Sequence, residues 1–183
     1  MIETERLILR RFAPSDDRDL YEYLSDPATY NFEPGRPVTL EEARRVAEEW
    51  AAGDNFWAVV RKEDGKLVGH LYFQQQEPRD RLTWELGYIF NPRFRRMGYA
   101  SEAAAALTDR AFAEFGARRI MARCDPRNEA SWRLLERIGF RREGHFRKYG
   151  FVHRDERGDP IWTDAYEYSK LATDPPGAAN RST

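Results

Sequence analysis

At 183 residues, the chain is long enough for one domain with a full hydrophobic core. Its 30 basic and 31 acidic residues nearly cancel, so the overall charge does not predict a nucleic-acid or anionic-membrane partner. A single cysteine excludes an intrachain disulfide and a CxxC metal site, and no apolar run reaches membrane-spanning length, so we expect a cytoplasmic protein.

The first part of the chain predicts one strand followed by two helices. Apolar residues alternate over residues 7–12, which indicates a strand, and the polar cluster at residues 14–17 is typical of a helix start. Thr39 and Glu42 have the spacing of a capping box, and apolar residues follow at helical spacing. This pattern predicts the second helix.

The middle of the chain predicts three strands. Residues 55–61 and 66–74 are rich in β-forming side chains and flank a Glu-Asp-Gly turn at residues 63–65, which favours a hairpin. Residues 82–90 follow as a third strand, in which Glu85 lies on the face opposite the aromatic residues.

The second half alternates between helix and strand. The predicted elements are a helix over about residues 98–115, a strand over 117–124, a short helix within 128–139, and one or two strands around a turn at 157–160. A strand, helix and strand in succession imply a parallel pair with a crossover helix, whereas the earlier hairpin implies antiparallel neighbours.

These elements predict a single mixed α/β domain. We expect this domain to occupy residues 1–172. Residues 173–183 are poor in apolar side chains, and we expect them to form a disordered tail.

The stretch RFRRMGYASEAAAAL, residues 93–107, joins the third of these strands to the long helix. The first N–H groups of a helix lack internal partners and carry positive potential, and a glycine such as Gly98 lets a phosphate approach them. Arg95 and Arg96 add charge, although the same residues also fit a basic surface loop. A P-loop and a Rossmann fingerprint are excluded, because G-K-[ST] and three spaced glycines are missing.

Residues 95–100, RRMGYA, match the Q/R-x-x-G-x-G/A motif of the GNAT superfamily of acyl-CoA-dependent N-acyltransferases. Further segments resemble the same superfamily, and in particular its branch of ribosomal-protein N-terminal (Rim-type) acetyltransferases: TERLILRRF, WELGYIFNP, GYASEA, NEASWRLLERIGF and WTDAYEY. The resemblance covers residues 3–171. It implies the GNAT fold, a mostly antiparallel mixed sheet with one splayed parallel strand pair and helices on both faces.

The resemblance also implies acetyl-CoA as the cosubstrate, bound where the two parallel strands splay apart. Main-chain groups of Ile89 and Phe90 would pair with the pantetheine amides, and Asn128 would hydrogen-bond the same arm. The pyrophosphate would lie on the residues of the junction: Arg95, Arg96, Met97, Gly98, Tyr99, Ala100 and Ser101.

Transfer to an amine needs a deprotonated amine, a donor for the oxyanion and a proton for the departing thiolate. Rim-type enzymes often place a tyrosine seven residues after the asparagine as the acid, and some place a glutamate five residues before it as the base. This chain has Leu135 and Arg123 there. We therefore expect Ser131 to be the acid, the alternative being a polar contact within the helix. We expect Glu85 to be the base, the alternative being an ion pair on the sheet. Cys124 is expected to be a small core residue.

Two functional hypotheses follow. The first is an enzyme that moves acetyl from acetyl-CoA to a primary amine, either a protein N-terminus or a small molecule, by direct attack in a ternary complex. The second is a catalytically idle acyl-CoA-binding sensor or scaffold, because the usual tyrosine and glutamate are missing. The acceptor is expected near the first two helices and the terminal hairpin, where aromatic and acidic residues are frequent.

Three further expectations concern partners and metals. The three histidines are scattered without ligand spacing, so no metal is expected. No nucleic-acid or membrane partner is expected either. The chain is expected to be a monomer or a homodimer, as relatives are.

Overall fold

Residues 1–175 are described by the structure, a computed structural model, and they form one mixed sheet with helices on both faces. The strands are β1 (Ile2–Glu3), β2 (Leu7–Arg10), β3 (Phe56–Arg61), β4 (Leu67–Gln75), β5 (Thr83–Phe90), β6 (Arg119–Cys124), β7 (Arg141–Arg154) and β8 (Pro160–Leu171). The helices are α1 (Asp17–Leu24), α2 (Leu40–Ala52), α3 (Tyr99–Glu114) and α4 (Glu129–Arg137). The predicted fold class is confirmed.

The sheet order is β1-β2-β3-β4-β5-β6-β8-β7, and β5 and β6 are the parallel neighbours in it. These two strands pair only from Thr83↔Arg119 to Glu85↔Met121. Beyond this point β5 continues along β4, and β6 continues along β8. The two strands therefore part after Glu85, and one edge of β5 is left open. This opening is the predicted splay, and α3 is the predicted crossover helix.

Local signals in the sequence set several element boundaries. The Thr39 hydroxyl accepts a hydrogen bond from the Glu42 main-chain N–H at 3.2 Å, and the Glu42 carboxylate accepts one from the Thr39 N–H at 2.7 Å. This is the predicted capping box, and α2 begins directly after it. Gly116 follows α3 with a φ of +69°, a left-handed conformation that favours glycine and ends the helix.

Two features near the ends were not predicted in detail. β1 is a two-residue strand that pairs with β2, and two residues are too few to give a periodicity. Residues 173–175, which we assigned to the tail, continue the ordered chain, and the Asp174 N–H donates to the Leu171 carbonyl. The remaining tail residues, 176–183, lie outside the described residues.

The sheet separates two apolar cores. On one face, α3 and α4 bury Leu107, Ile120 and Leu135 completely. On the other face, α1 and α2 pack Leu20 and Tyr23 against the strands. Within residues 1–175, no helix combines the length and the apolar composition that crossing a bilayer requires.

His70, in the middle of β4, is buried, and its Nδ1 shares a hydrogen bond of 2.7 Å with the Tyr23 hydroxyl. Burial lowers the pKa of His70 to about 3. Because this value lies below that of the unfolded chain, the unfolded state binds the proton first as the pH falls. The stabilisation by neutral His70 is therefore complete above about pH 6.5 and is lost progressively as the pH falls towards 3.

We expect His70→Gln to remove this pH dependence, because glutamine keeps hydrogen-bonding groups and does not titrate. In urea unfolding between about pH 7.5 and pH 4.5, the wild-type free energy of unfolding should fall relative to the variant by about 1.4 kcal/mol per pH unit below about pH 6. Parallel curves for the two proteins would contradict a neutral buried imidazole.

Candidate active site

The loop between β5 and α3 presents main-chain donors at the start of the long helix. Gly98 precedes the helix with a φ of +82°, a left-handed conformation that glycine adopts without strain. In the described part of the chain, the N–H groups of Gly98, Tyr99, Ala100 and Ser101 have no hydrogen-bond acceptor. The helix dipole adds positive potential at the same end. This geometry is suited to an anion.

Arg6 holds this loop in place, although sequence reasoning did not identify it. Its Nη1 donates to the Met97 carbonyl at 2.9 Å, and its Nε donates to the Glu102 carboxylate at 2.7 Å. Its guanidinium group lies 4.7 Å from the centroid of the Tyr99 ring. Arg6 therefore ties the N-terminal segment to both the loop and the first turn of α3, across a sequence separation that no local pattern reveals.

A cleft of about 500 Å³ opens beside this loop. One wall is the outer half of β5 with the loop and the start of α3, another is α4, and the third is the segment that follows α1. The predicted coenzyme residues that line it are Ile89, Phe90, Arg95, Arg96, Gly98, Tyr99, Ala100, Ser101 and Asn128. Met97 is the exception. Its side chain is exposed outside the lining, and its carbonyl accepts from Arg6.

Asn128 begins α4 and has two available functions. Its Oδ1 accepts from the Ser131 N–H at 3.3 Å, which caps the helix. Its Nδ2 has no acceptor within residues 1–175, so this amide group is available to a ligand. On the same helix, Arg137 donates to the Ser101 hydroxyl at 3.1 Å and joins α4 to the start of α3.

Ser131 and Tyr88 form a hydroxyl pair on the wall of the cleft. The Ser131 Oγ lies 2.9 Å from the Tyr88 hydroxyl, which also donates to the Ser131 carbonyl at 3.2 Å. Burial raises the pKa of Tyr88 well above its ordinary value, so the phenol holds its proton at neutral pH. The pair can therefore supply a proton. Burial also raises the pKa of Cys124 to about 11, which leaves its thiol neutral and a poor nucleophile.

Glu85 is placed apart from this pair. Its side chain lies on the face of β5 opposite Tyr88, since the two positions are an odd number of residues apart. Its Oε1 is 3.6 Å from the Arg123 guanidinium, and Glu85 is not among the residues that line the cleft. The structure thus brings Ser131 together with the predicted coenzyme residues and does not bring Glu85 to them.

The aromatic residues expected near the acceptor within residues 16–52 lie mostly in the core, whereas Tyr149 and Trp162 of the terminal hairpin are exposed. Tyr23 and Tyr30 are buried, and Trp50 stacks on Phe56 with ring centroids 4.1 Å apart. Phe32 is the aromatic side chain of this group that lines the cleft.

Its neighbour Glu33 also lines the cleft, and sequence reasoning missed it. The segment around Glu33 has no periodicity and no motif that predicts a functional role. The position of Glu33 becomes evident only once α1 and α2 are packed on the sheet.

The chain matches the acetyltransferase (GNAT) domain family over residues 6–141. It is 38% identical over 173 residues to the uncharacterized N-acetyltransferase YnaD of Bacillus subtilis (strain 168), covering 93% of this chain and 96% of that protein. Its fold matches the crystal structure of a GNAT-family acetyltransferase from Bacillus anthracis, with a TM-score of 0.84, 35% identity, and coverage of 94% of this chain and 99% of that chain.

A more distant match is the ribosomal-protein-S5-alanine acetyltransferase from Vibrio fischeri. The TM-score is 0.79 at 24% identity, over 94% of this chain and 96% of that chain. At this identity the likeness supports the fold alone.

Proposed function

Because this chain belongs to the GNAT acetyltransferase family, we propose that it moves an acetyl group from acetyl-CoA to a primary amine by direct attack within a ternary complex. Residues 1–172 would form the single acetyltransferase domain. The observation that carries the proposal is the set of unpartnered N–H groups at the start of α3, which line the same cleft as the open edge of β5.

The cleft suits the different parts of the coenzyme. A diphosphate binds to several main-chain N–H groups, and a large side chain beside them would block it. At the start of α3, Gly98 in its left-handed conformation and Ala100 with its small side chain leave these N–H groups accessible. A pantetheine arm carries amides, and the open edge of β5 at Ile89 and Phe90 offers main-chain partners for them. Asn128, whose Nδ2 has no acceptor within residues 1–175, lines the same cleft from α4.

The reaction forms a C–N bond and breaks the C–S bond of the thioester. The amine nitrogen attacks the carbonyl carbon, and the thiolate then leaves and needs a proton. Ser131 is the proposed donor, with Tyr88 behind it as a phenol that stays protonated. Neutral Cys124 is not required as a nucleophile. Glu85, which the sequence predicts as the base, does not line this cleft and lies 3.6 Å from the Arg123 guanidinium.

The acceptor is proposed to be a primary amine, either a protein N-terminus or a small molecule. Coenzyme release with a thiol reagent tests this, using peptides that begin with alanine or serine, spermidine and kanamycin as acceptors. We expect at least one of them to accelerate release from acetyl-CoA well above hydrolysis. If acetyl-CoA binds and none of these amines accelerates release, the idle binding module is favoured instead.

Asn128→Ser separates the two functions of this residue, since serine also caps helices and lacks the amide donor. We expect the stability to stay within about 0.5 kcal/mol of the wild type. The Kd for acetyl-CoA should rise about fivefold, the loss of a hydrogen bond of about 1 kcal/mol. Calorimetric titration and urea unfolding measure the two effects. Unchanged affinity would remove Asn128 from the coenzyme site.

A further inference from the structure

Glu33 is the one carboxylate among the residues that line the cleft. It lies in the segment between the turn at Pro27–Tyr30 and α2, and its side chain is half-buried. Within residues 1–175 it has no hydrogen-bond or ion-pair partner. A carboxylate that is withdrawn from water and left unpaired is costly for stability, so such a position points to a ligand.

The position of Glu33 relates it to the proposed reaction centre. Burial is the main cause of the raised pKa of both the Tyr88 hydroxyl of β5 and the Cys124 thiol of β6, and the Glu33 carboxylate adds to it. These are the two strands that part to open the cleft, and Tyr88 is hydrogen-bonded to Ser131. Glu33 therefore lines the same cleft as Tyr88 and Ser131, where the thioester is proposed to lie.

Several other charged or titratable groups lie on the surrounding elements: Tyr88, Cys124, Arg95, Arg96, Arg127, Arg133 and Arg137. Many of the arginines are engaged elsewhere. Arg127 pairs with Asp125 at 2.6 Å, Arg133 with Glu129 at 3.0 Å, and Arg137 donates to Ser101.

Desolvation is accordingly the dominant influence on Glu33 and raises its pKa to about 7. A group with this proton affinity can both accept and release a proton at neutral pH.

We propose that Glu33 is the general base that takes the proton from the acceptor's ammonium group, the role that sequence reasoning gave to Glu85. This inference rests on the proposed function. The carboxylate first attracts the ammonium ion and then accepts one of its protons, which leaves a neutral amine to attack the thioester carbon. As the C–S bond breaks, the thiolate takes a proton from the Ser131 and Tyr88 pair. The second proton lost by the nitrogen restores that pair, and Glu33 releases its proton to solvent.

The test compares Glu33→Gln with Glu85→Gln, using the fastest acceptor from the amine panel. At about pH 7 we expect Glu33→Gln to lower kcat/KM for the amine by about 100-fold, with KM for acetyl-CoA unchanged within about twofold. Glu85→Gln should stay within about threefold of the wild type. A purely structural role for Glu33 would change the coenzyme KM or the stability as well.

The pH profile provides a second readout. The wild-type kcat/KM should fall on the acid side with a midpoint near 7, and in Glu33→Gln this limb should be replaced by one at the pKa of the acceptor amine. At about pH 9.5 the deficit of the variant should shrink to less than about tenfold, because the amine then loses its proton without help. The proposal is overturned if Glu33→Gln keeps the wild-type rate and the wild-type acid limb. It is also overturned if the loss of kcat/KM occurs in Glu85→Gln and not in Glu33→Gln.

A titration without any acceptor separates this inference from the proposed function. In protein labelled with ¹³C at the glutamate carboxyls, the resonance absent from Glu33→Gln identifies Glu33. A midpoint near 7 supports the assignment, whereas a midpoint near the ordinary glutamate value overturns it. If no amine reacts with the wild type, the proposed function fails, and this titration still decides whether Glu33 has the proton affinity of a base.

Discussion

Replacing Gly98 with valine is expected to raise the Kd for acetyl-CoA by at least about 100-fold. A β-branched residue is strained at a φ of +82°, so the loop would move away from the conformation that exposes the N–H groups at the start of α3. A Cβ at this position also lies 3.2 Å from the Arg6 guanidinium, which holds the Met97 carbonyl. The loss of two charge-assisted hydrogen bonds of about 1.5 kcal/mol each corresponds to this change in Kd.

Gly116→Val is the matched control. Gly116 has a φ of +69° at the other end of α3, and a Cβ there meets no atom within 4 Å. Both variants should lose about 1 to 3 kcal/mol of stability through backbone strain, and only Gly98→Val should lose coenzyme affinity. Calorimetric titration with acetyl-CoA compares them. Equal affinities in the two variants would show that the loop does not hold the coenzyme.

Replacing Ser131 with alanine is expected to lower kcat by about 100-fold, with the Kd for acetyl-CoA changed less than about threefold. Ser131 is 9% exposed, and its hydroxyl lies 2.9 Å from the Tyr88 hydroxyl. The substitution therefore removes the proposed proton donor from the cleft. The capping bond of α4 goes to the Ser131 main-chain N–H and is retained in the variant. Turnover with saturating acceptor measures the effect.

Tyr88→Phe and the double variant decide whether the two hydroxyls act in series. If Tyr88 supplies its proton through Ser131, the double variant should be no slower than Ser131→Ala alone, because the second step is already lost. Tyr88→Phe alone should reduce kcat by about tenfold. If the two single losses in activation free energy add in the double variant, the hydroxyls have independent roles. A wild-type rate in Ser131→Ala would show that Ser131 makes only a polar contact within the helix.

The sequence was most informative where the signal is local. The Thr39 capping box, the turn after Glu63 and the glycine after α3 each depend on a few neighbouring residues, and the structure has all three. The parallel pair followed from the order of elements, because a strand, helix and strand can close a sheet in few ways. The prediction of a coenzyme wall rests on a similarly local signal, since a β-strand, a loop and a helix start are contiguous in the chain.

The sequence places the expected acceptor site near the first two helices and the terminal hairpin, whereas the individual side chains that line the cleft there depend on contacts with distant residues. Glu33 lines the same cleft as Tyr88 only because α1 and α2 pack on the same sheet, and Arg6 reaches Met97 only because β2 lies near α3. Glu85 directly follows Trp84. Because side chains alternate between the two faces of a strand, the sequence predicts that Glu85 lies on the face opposite Trp84. Which face borders the cleft depends on the packing of α4, and this packing brings Tyr88 to Ser131.

The central claim is that the first N–H groups of α3 hold the coenzyme diphosphate, and backbone amide NMR of the labelled protein tests it most directly. During titration with acetyl-CoA, the amide resonances of Gly98, Tyr99, Ala100 and Ser101 should shift together and saturate with the Kd measured by calorimetry. The amide of Gly116, which follows the other end of α3, should stay in place. Saturable binding that leaves those four amides unmoved, or no binding at all, would contradict the account.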